Sequence, residues 1–242
     1  MNKKEGIRID KLLVDRGYVK SRERAKDLIA SGHVFTDNAL VKKPSTKYDS
    51  QTRIKVTEKD IAWVSRAGLK LEKAIKEFDI NVKDAICLDI GASTGGFTQV
   101  LLHYGAKKVY ALDVGHDQIA GGVKEDPRVV VMEKTNIRNV KEEMFPHSFD
   151  IVTVDVSFIS LQHVIPKIKN LLKGEAVLLI KPQFEAGKSI NINNPALHEK
   201  IISKIKFNAK EEGLKTKAIT DSPIKGGKGN KEFLLHLTKS SQ

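Results

Sequence analysis

The sequence has a single cysteine, Cys87, so no intramolecular disulfide can form and no cysteine-based zinc site exists. It has no apolar run approaching the roughly 20 residues that span a bilayer. Its first residues, Met1-Asn2-Lys3-Lys4-Glu5-Gly6, lead into a polar amphipathic pattern and not into the apolar stretch of a signal peptide. These absences predict a cytoplasmic protein with no membrane anchorage. Acidic side chains are also in deficit, 30 against 42 basic ones, for a net charge of +12. Residues 1–62 carry 15 basic and 9 acidic side chains, so half of the excess lies in a quarter of the chain. That asymmetry is the electrostatic footprint of a nucleic-acid contact, because neutralising phosphates supplies most of the non-specific affinity. At 242 residues the chain is long enough for two ordinary domains, each with its own core.

The first domain is predicted over residues 7–60. Ile9, Leu12 and Leu13 share one helical face, and Gly17 closes a short helix. Ser21 offers an N-cap oxygen to a second helix, in which Ala25, Leu28 and Ile29 keep the 3.6-residue period and Ser31-Gly32 forms the stop. Short alternating segments follow at 33–36, 39–41 and 53–56, separated by turn residues at Asp37-Asn38 and around Pro44. Two short helices feeding a small β-ribbon, with arginines on the second helix, resemble the S4 RNA-binding module. The stretches Arg8 to Leu13, Ser21 to Ile29 and Gly32-His33-Val34 carry the likeness. It implies RNA contacts from Arg8, Lys11, Arg22, Arg24 and Lys26. Residues 61–65 form a short linker, and 66–242 the second domain.

In that second domain apolar strands alternate with helices. Strands are predicted at 86–90, 108–113, 128–132, 149–155, 176–181, 215–220 and 232–237; helices at 97–104, 161–172 and 196–212, with another before the first strand. Near-continuous apolar strands between helices indicate a mostly parallel α/β sheet covered on both faces. Such sheets bind ligands beyond the carboxyl ends of their strands. The first strand delivers Asp89-Ile90-Gly91-Ala92-Ser93-Thr94-Gly95-Gly96-Phe97, whose glycines allow backbone to pass close to a ligand. Their spacing is not G-x-G-x-x-G, which argues against a dinucleotide site. The loop resembles the first motif of class I methyltransferases, where it wraps the methionine part of S-adenosylmethionine. Asp113 ends the second strand 22 residues after Gly91, where a carboxylate can accept both ribose hydroxyls of a bound nucleoside.

The residues after the fourth and fifth strands bear on the acceptor. An adenine amino-methylating enzyme would show Asn/Asp-Pro-Pro-aromatic after the fourth strand, where this chain has Asp155-Val156-Ser157-Phe158. A cytosine C5 enzyme needs a thiol nucleophile, and Cys87 lies mid-strand as a small core residue. A hydroxyl acceptor remains. A ribose 2′-OH is a poor nucleophile at neutral pH and needs a group to take its proton, with in-line placement on the methyl. A lysine serves if a cationic neighbour and burial leave some neutral amine, while nearby carboxylates orient it. Asp155, Lys181 and Glu232 stand at strand ends, and Lys70 in the preceding helix is a fourth candidate.

Six stretches then resemble the TlyA family, the S4-domain, FtsJ-like rRNA 2′-O-methyltransferases often labelled haemolysins. They are Trp63 to Leu71, Asp89 to Phe97, Asn136-Ile137-Arg138, Asp155 to Leu161, Lys181 to Gly187, and Ser222 to Gly226. The resemblance implies a catalytic Lys70-Asp155-Lys181-Glu232 tetrad and an S-adenosylmethionine site built from Asp89, Gly91, Ala92, Ser93, Gly95, Gly96, Phe97, Asp113, Val114 and Asn136. It adds Arg66 to the RNA contacts, with no metal. It further implies cytidines of ribosomal RNA, free or in subunits, as substrate. The large-subunit site is the expectation, because shorter members favour it and the S4 pattern here begins at Ile7. Ala67 and Gln99 depart from the family pattern, and neither is a tetrad member. Two other readings stay open: an RNA-binding protein with a non-catalytic methyltransferase fold, and a haemolysin.

Overall fold

The computed structural model describes residues 6–30, 32–57, 63–187, 191–226 and 229–239. Ser31 and residues 61 and 62 of the predicted linker lie outside them. The chain divides into two compact units, Met1–Arg66 and Ala67–Gln242.

The first unit contains β1 (Ile7–Arg8), α1 (Ile9–Asp15), α2 (Arg22–Ala30), β2 (Val34–Thr36), β3 (Ala39–Leu40), β4 (Lys47–Tyr48) and β5 (Ile54–Val56). The helical period places Ile9, Leu12, Leu13, Ala25, Leu28 and Ile29 in one buried cluster, which the strands complete through Val34, Val41 and Ile54. Gly17 ends the first helical segment at φ +73°, a backbone form in which a Cβ is strained. The Ser21 hydroxyl oxygen accepts from the Arg24 N–H at 3.1 Å and caps α2. β2 is the central strand of an antiparallel β3-β2-β5 ribbon, and its turn to β3 has Asp37 and Asn38 at φ 48° and 65°. Two central residues with positive φ match the twist of the flanking strands. The two-residue strands β1 and β4 pair with each other; they are too short to leave a periodic signal in sequence.

Charge in this unit is organised around Asp10, whose side chain is fully buried. It accepts from Arg8 Nε and Nη2 at 3.0 Å each, from Arg22 Nη2 at 2.8 Å and from the Lys11 N–H at 2.9 Å. Desolvation pushes its pKa up, but the two guanidiniums outweigh it and hold the carboxyl at about 2. Arg8 and Arg22 therefore build the fold as well as presenting partly exposed side chains. Lys11 pairs with Asp15 at 2.7 Å on the surface, and Lys26 is exposed. Arg24 corrects the expectation of a phosphate contact: it is 1% exposed, so its guanidinium is withdrawn from any ligand on the surface.

The second unit contains α3 (Ala67–Phe78), β6 (Ile86–Ile90), α4 (Gly96–His103), β7 (Lys108–Leu112), α5 (Gly121–Lys124), β8 (Val129–Met132), β9 (Phe149–Val154), α6 (Ile165–Leu171), β10 (Leu172–Ile180), α7 (Pro182–Glu185), α8 (Pro195–Glu211), β11 (Leu214–Asp221) and β12 (Phe233–Lys239). Its strands form one seven-stranded sheet in the order β11-β12-β10-β9-β6-β7-β8. The five strands from β10 to β8 are parallel, and β12 is antiparallel to both of its neighbours. The core runs through Leu88, Ile90, Val152, Val154, Leu178 and Ile180, with Ile201, Ile205 and Ala209 of α8 packed on it. Two elements differ from expectation. The predicted helix 161–172 is a 3-10 turn, Leu161–His163, followed by α6, because Pro166 sits in the first turn of a new helix. β10 starts earlier than 176: Leu172 already pairs with Phe149, and a bulge before Glu175 hides the strand among polar residues. Among the described residues no helix is long and apolar enough to cross a membrane.

Chain order reverses between β6 and β9. From β6 the chain winds outward through β7 and β8, and it returns to the other side of β6 as β9. Their adjoining carboxyl ends therefore open a crevice.

Replacing Asp10 by Asn should destabilise the first unit by about 2 kcal/mol at pH 7, the equivalent of its pKa depression. A group with a lowered pKa stabilises above its unfolded value near 3.8 and loses that contribution as pH falls towards 2. The gap between wild type and Asp10→Asn, read from hydrogen exchange of the α1 amides, should thus close in acid.

Candidate active site

The crevice begins at Gly91, the residue after β6. Its φ is +85°, and a Cβ built on it would lie 2.6 Å from the Asp155 carbonyl oxygen. Only glycine lets the loop after β6 run this close to the segment after β9. Gly95, at φ +89°, turns the loop into α4; a Cβ there would sit 2.9 Å from a Val123 methyl. Beside this loop lies a cavity of about 450 Å³, bounded by Gly91 and Ser93 on one side, Asp113 and Asn136 on another, and Asp155 to Ile159 across the mouth.

Asp113 stands at the end of β7 with both oxygens oriented by backbone: Oδ2 accepts from the Ser93 N–H at 2.8 Å and Oδ1 from the Gly115 N–H at 2.7 Å. Each carboxylate oxygen keeps a further lone pair for a ligand hydroxyl. Ser93, at φ +46°, donates its hydroxyl to Gln118 Oε1 at 3.2 Å, so the loop and the segment after β7 are tied together. Asn136 caps the 3-10 turn Ile137–Asn139 by accepting from the Arg138 N–H at 3.0 Å. Val114 is 67% exposed at the cavity edge.

At this end of the sheet four charged side chains form two close pairs, and one of the four, Asp155, lines the cavity. Lys181 Nζ lies 2.5 Å from Asp155 Oδ1 and donates to the Ser157 hydroxyl oxygen at 3.0 Å. Lys70 Nζ lies 2.7 Å from Glu232 Oε2, both residues being buried. The topology explains the meeting. Asp155 and Lys181 follow the carboxyl ends of the parallel strands β9 and β10. β12 runs the other way, and its first residue, Phe233, pairs with Ile180, the last of β10. Glu232 is thus delivered to the same edge from the start of a strand. Lys70 reaches it from the first turns of α3. Gln183 Nε2 donates to the second oxygen of Glu232 at 3.4 Å.

Of the predicted cofactor residues, Gly91, Ser93, Asp113, Val114 and Asn136 line the cavity, together with Asp155. Asp89, Ala92, Gly95, Gly96 and Phe97 do not. The latter four are buried and shape the turn into α4. Sequence reasoning left out Gln118, Arg138, Ser157 and Phe158, all of which border the cavity. Phe158 is 92% exposed and sits at φ +64°; an aromatic in the segment just past a strand end was its available signal. Ser157 had none.

Asp89 has a different task. It is fully buried and accepts from the Thr98 hydroxyl at 2.7 Å and the Thr153 hydroxyl at 3.0 Å, pinning α4 and β9 to β6. Desolvation raises its pKa to about 7 despite these two donors. The folded state then keeps a proton that the unfolded chain releases near 3.8, so stability falls as pH rises from about 4 to 7. Carboxyl-carbon NMR should place the Asp89 midpoint near 7, and Asp89→Asn should remove that slope from the pH dependence of denaturant midpoints.

Comparison with known proteins joins these observations. The S4 domain matches residues 7–54, and the FtsJ-like methyltransferase matches residues 63–239. Hemolysin A of Brachyspira hyodysenteriae is 46% identical, over 96% of this chain and 99% of that protein. The 16S/23S rRNA (cytidine-2′-O)-methyltransferase TlyA of Mycobacterium tuberculosis is 41% identical, over 95% of this chain and 89% of that protein. A solved structure from Streptococcus thermophilus that carries a hemolysin label is 40% identical, with a TM-score of 0.79, over 98% of this chain and 90% of that one. On its two matched domains and these near full-length relatives, the chain belongs to the TlyA family of S4-domain, FtsJ-like methyltransferases.

Proposed function

We propose that this protein transfers a methyl group from S-adenosylmethionine to the ribose 2′-hydroxyl of a cytidine in ribosomal RNA, with large-subunit RNA as its primary substrate and the cytoplasm as its place of work. The observation that carries the reading is the Lys181–Asp155 pair, in which Asp155 is also a wall of the cavity beside the glycine loop. The relatives' activity supports the nucleotide and the RNA class. The cavity volume beside the side-chain-free Gly91 and the oriented Asp113 carboxylate fit a nucleoside cofactor.

S-adenosylmethionine, when bound, supplies an electrophilic methyl on a sulfonium centre. Asp113 would hold its ribose hydroxyls, and Gly91 and Ser93 its amino-acid end. Lys181 receives the substrate 2′-hydroxyl. As the hydroxyl oxygen bonds to the methyl and the sulfur–carbon bond breaks, the 2′-hydroxyl proton ends on the Asp155 carboxylate, passed through Lys181, which gives up one of its own protons to Asp155 as it takes the hydroxyl's. Asp155 aligns Lys181 and offsets its charge, and Ser157 supplies a second contact to it. Glu232 and Lys70 form a second buried pair at the same sheet edge, with Gln183 donating to Glu232. Phe158, exposed at the rim, offers its ring to a nucleobase, as aromatic side chains do in single-stranded RNA recognition. The first unit contributes Arg8, Lys11, Arg22 and Lys26 as phosphate contacts, with Arg66 beside the junction.

Removing a group that moves a proton in the transition state costs about 10²–10⁴ in rate. Lys181→Ala should therefore lower single-turnover methylation of unmethylated rRNA at least 100-fold, by the same principle, while leaving calorimetric binding of S-adenosylhomocysteine near wild type. Asp113→Ala should show the opposite split, with cofactor affinity lost first. Wild-type protein that methylates neither subunit RNA nor intact subunits would refute the assignment.

A further inference from the structure

The tetrad gives Asp155 and Lys181 their tasks but leaves an adjacent carboxylate unused. Glu185 is the last residue of α7. Its Oε2 accepts from the Ser160 hydroxyl at 2.6 Å, and its Oε1 accepts from the Leu161 N–H at 2.8 Å. Both donors lie in the segment after β9, the one that carries Asp155 and the cavity wall from Val156 to Ile159.

That segment needs external restraint. Phe158 holds φ +64°, a left-handed form that strains an ordinary L-residue. Such a residue persists when its surroundings over-determine it. Lys181 grips the start of the segment through Asp155 and Ser157. Glu185 grips its end through Ser160 and Leu161. Between them the Phe184 ring lies 5.0 Å from that of Phe158. A single five-residue stretch, 181–185, therefore clamps both ends of the strained turn. A carboxylate suits the distal clamp, since each oxygen meets one donor and charge-assisted bonds are the stronger kind.

We infer that Glu185 is a positioning residue for methyl transfer: its two-pronged hold on Ser160 and Leu161 sets the Val156–Ile159 wall of the cofactor cavity in register with Lys181. Glu185 touches no reacting atom. It acts through the turn, so that the cavity wall and the Lys181–Asp155 pair keep one fixed geometry. The kinetic half of this inference rests on the proposed methyl transfer to rRNA, and the binding half only on the proposed cofactor site.

The test uses the full-length chain with Glu185→Leu, Glu185→Gln and Ser160→Ala. The readouts are calorimetric binding of S-adenosylhomocysteine, single-turnover methylation of rRNA, and thermal melting. Glu185→Leu should weaken S-adenosylhomocysteine by about tenfold, the equivalent of one lost charge-assisted hydrogen bond, and slow turnover at saturating cofactor. Glu185→Gln should recover most of both, because its carbonyl can accept from Leu161 and its amide can donate to the Ser160 hydroxyl oxygen. Ser160→Ala should fall between. Wild-type affinity and rate in Glu185→Leu would overturn the inference, as would equal losses in the Leu and Gln variants. If Glu185→Leu does not fold, Ser160→Ala decides: unchanged affinity and rate there overturn the inference. Wild-type protein that binds S-adenosylhomocysteine but methylates no rRNA would sink the proposed function and leave this inference to the binding arm.

Discussion

Where β6 and β9 part, the Asp155 N–H donates to the Ile90 carbonyl at 2.9 Å, and the Gly91 backbone passes against the Asp155 carbonyl. There is no room at position 91 for even a methyl group. The rest of the site hangs on this approach. Because the two backbones touch, the loop after β6 and the turn after β9 become facing walls of one cavity. Because Asp155 is held there, Lys181 has a fixed carboxylate to meet. A larger residue at 91 would push Asp155 away from β6 and open the cavity and the ion pair together.

The tetrad is an expensive arrangement for a sheet edge. Lys70 and Glu232 are 8% and 2% exposed, and Lys181 is 9% exposed, so most of their hydration is lost. Two close pairs compensate that loss only in part, since buried ion pairs seldom add stability over apolar packing of the same volume. Asp155 and Lys181 follow the carboxyl ends of β9 and β10, and Glu232 precedes β12 at the same end of the sheet. Asp89 makes the contrast. It too is buried near the glycine loop, but its partners are two threonine hydroxyls and not a cation. It spans neighbouring elements of the scaffold from a site that does not face the cavity.

Much of this was legible along the chain. The parallel strands are near-continuous apolar runs because both faces of the sheet are covered, so β6, β7, β8 and β9 fall within a residue of where their composition puts them. Helix ends were marked by Gly17 and Ser21 through local backbone chemistry. The errors share a cause. The 161–172 helix looked continuous because its apolar period runs across Pro166, and β10 looked short because Lys173-Gly174-Glu175 hides a bulge. Arg24 looked like its neighbours on α2, yet it is buried while Arg22 is half exposed. Local pattern gives the period of a helix and not what covers each face of it.

The sequence by itself determined the sheet class, the glycine loop and the identities of the strand-end charges, because each depends on residues close together in the chain. Family resemblance, carried by the same letters, supplied the tetrad as a set. Only the tertiary structure decided how that set is paired, Lys181 with Asp155 and Lys70 with Glu232, partners separated in the second case by 162 residues. It also decided that Asp89 is scaffold and that Glu185 faces Ser160. The reason is topological: an antiparallel last strand starts where the parallel strands end, and no local pattern in the chain records which edge a distant strand will start from.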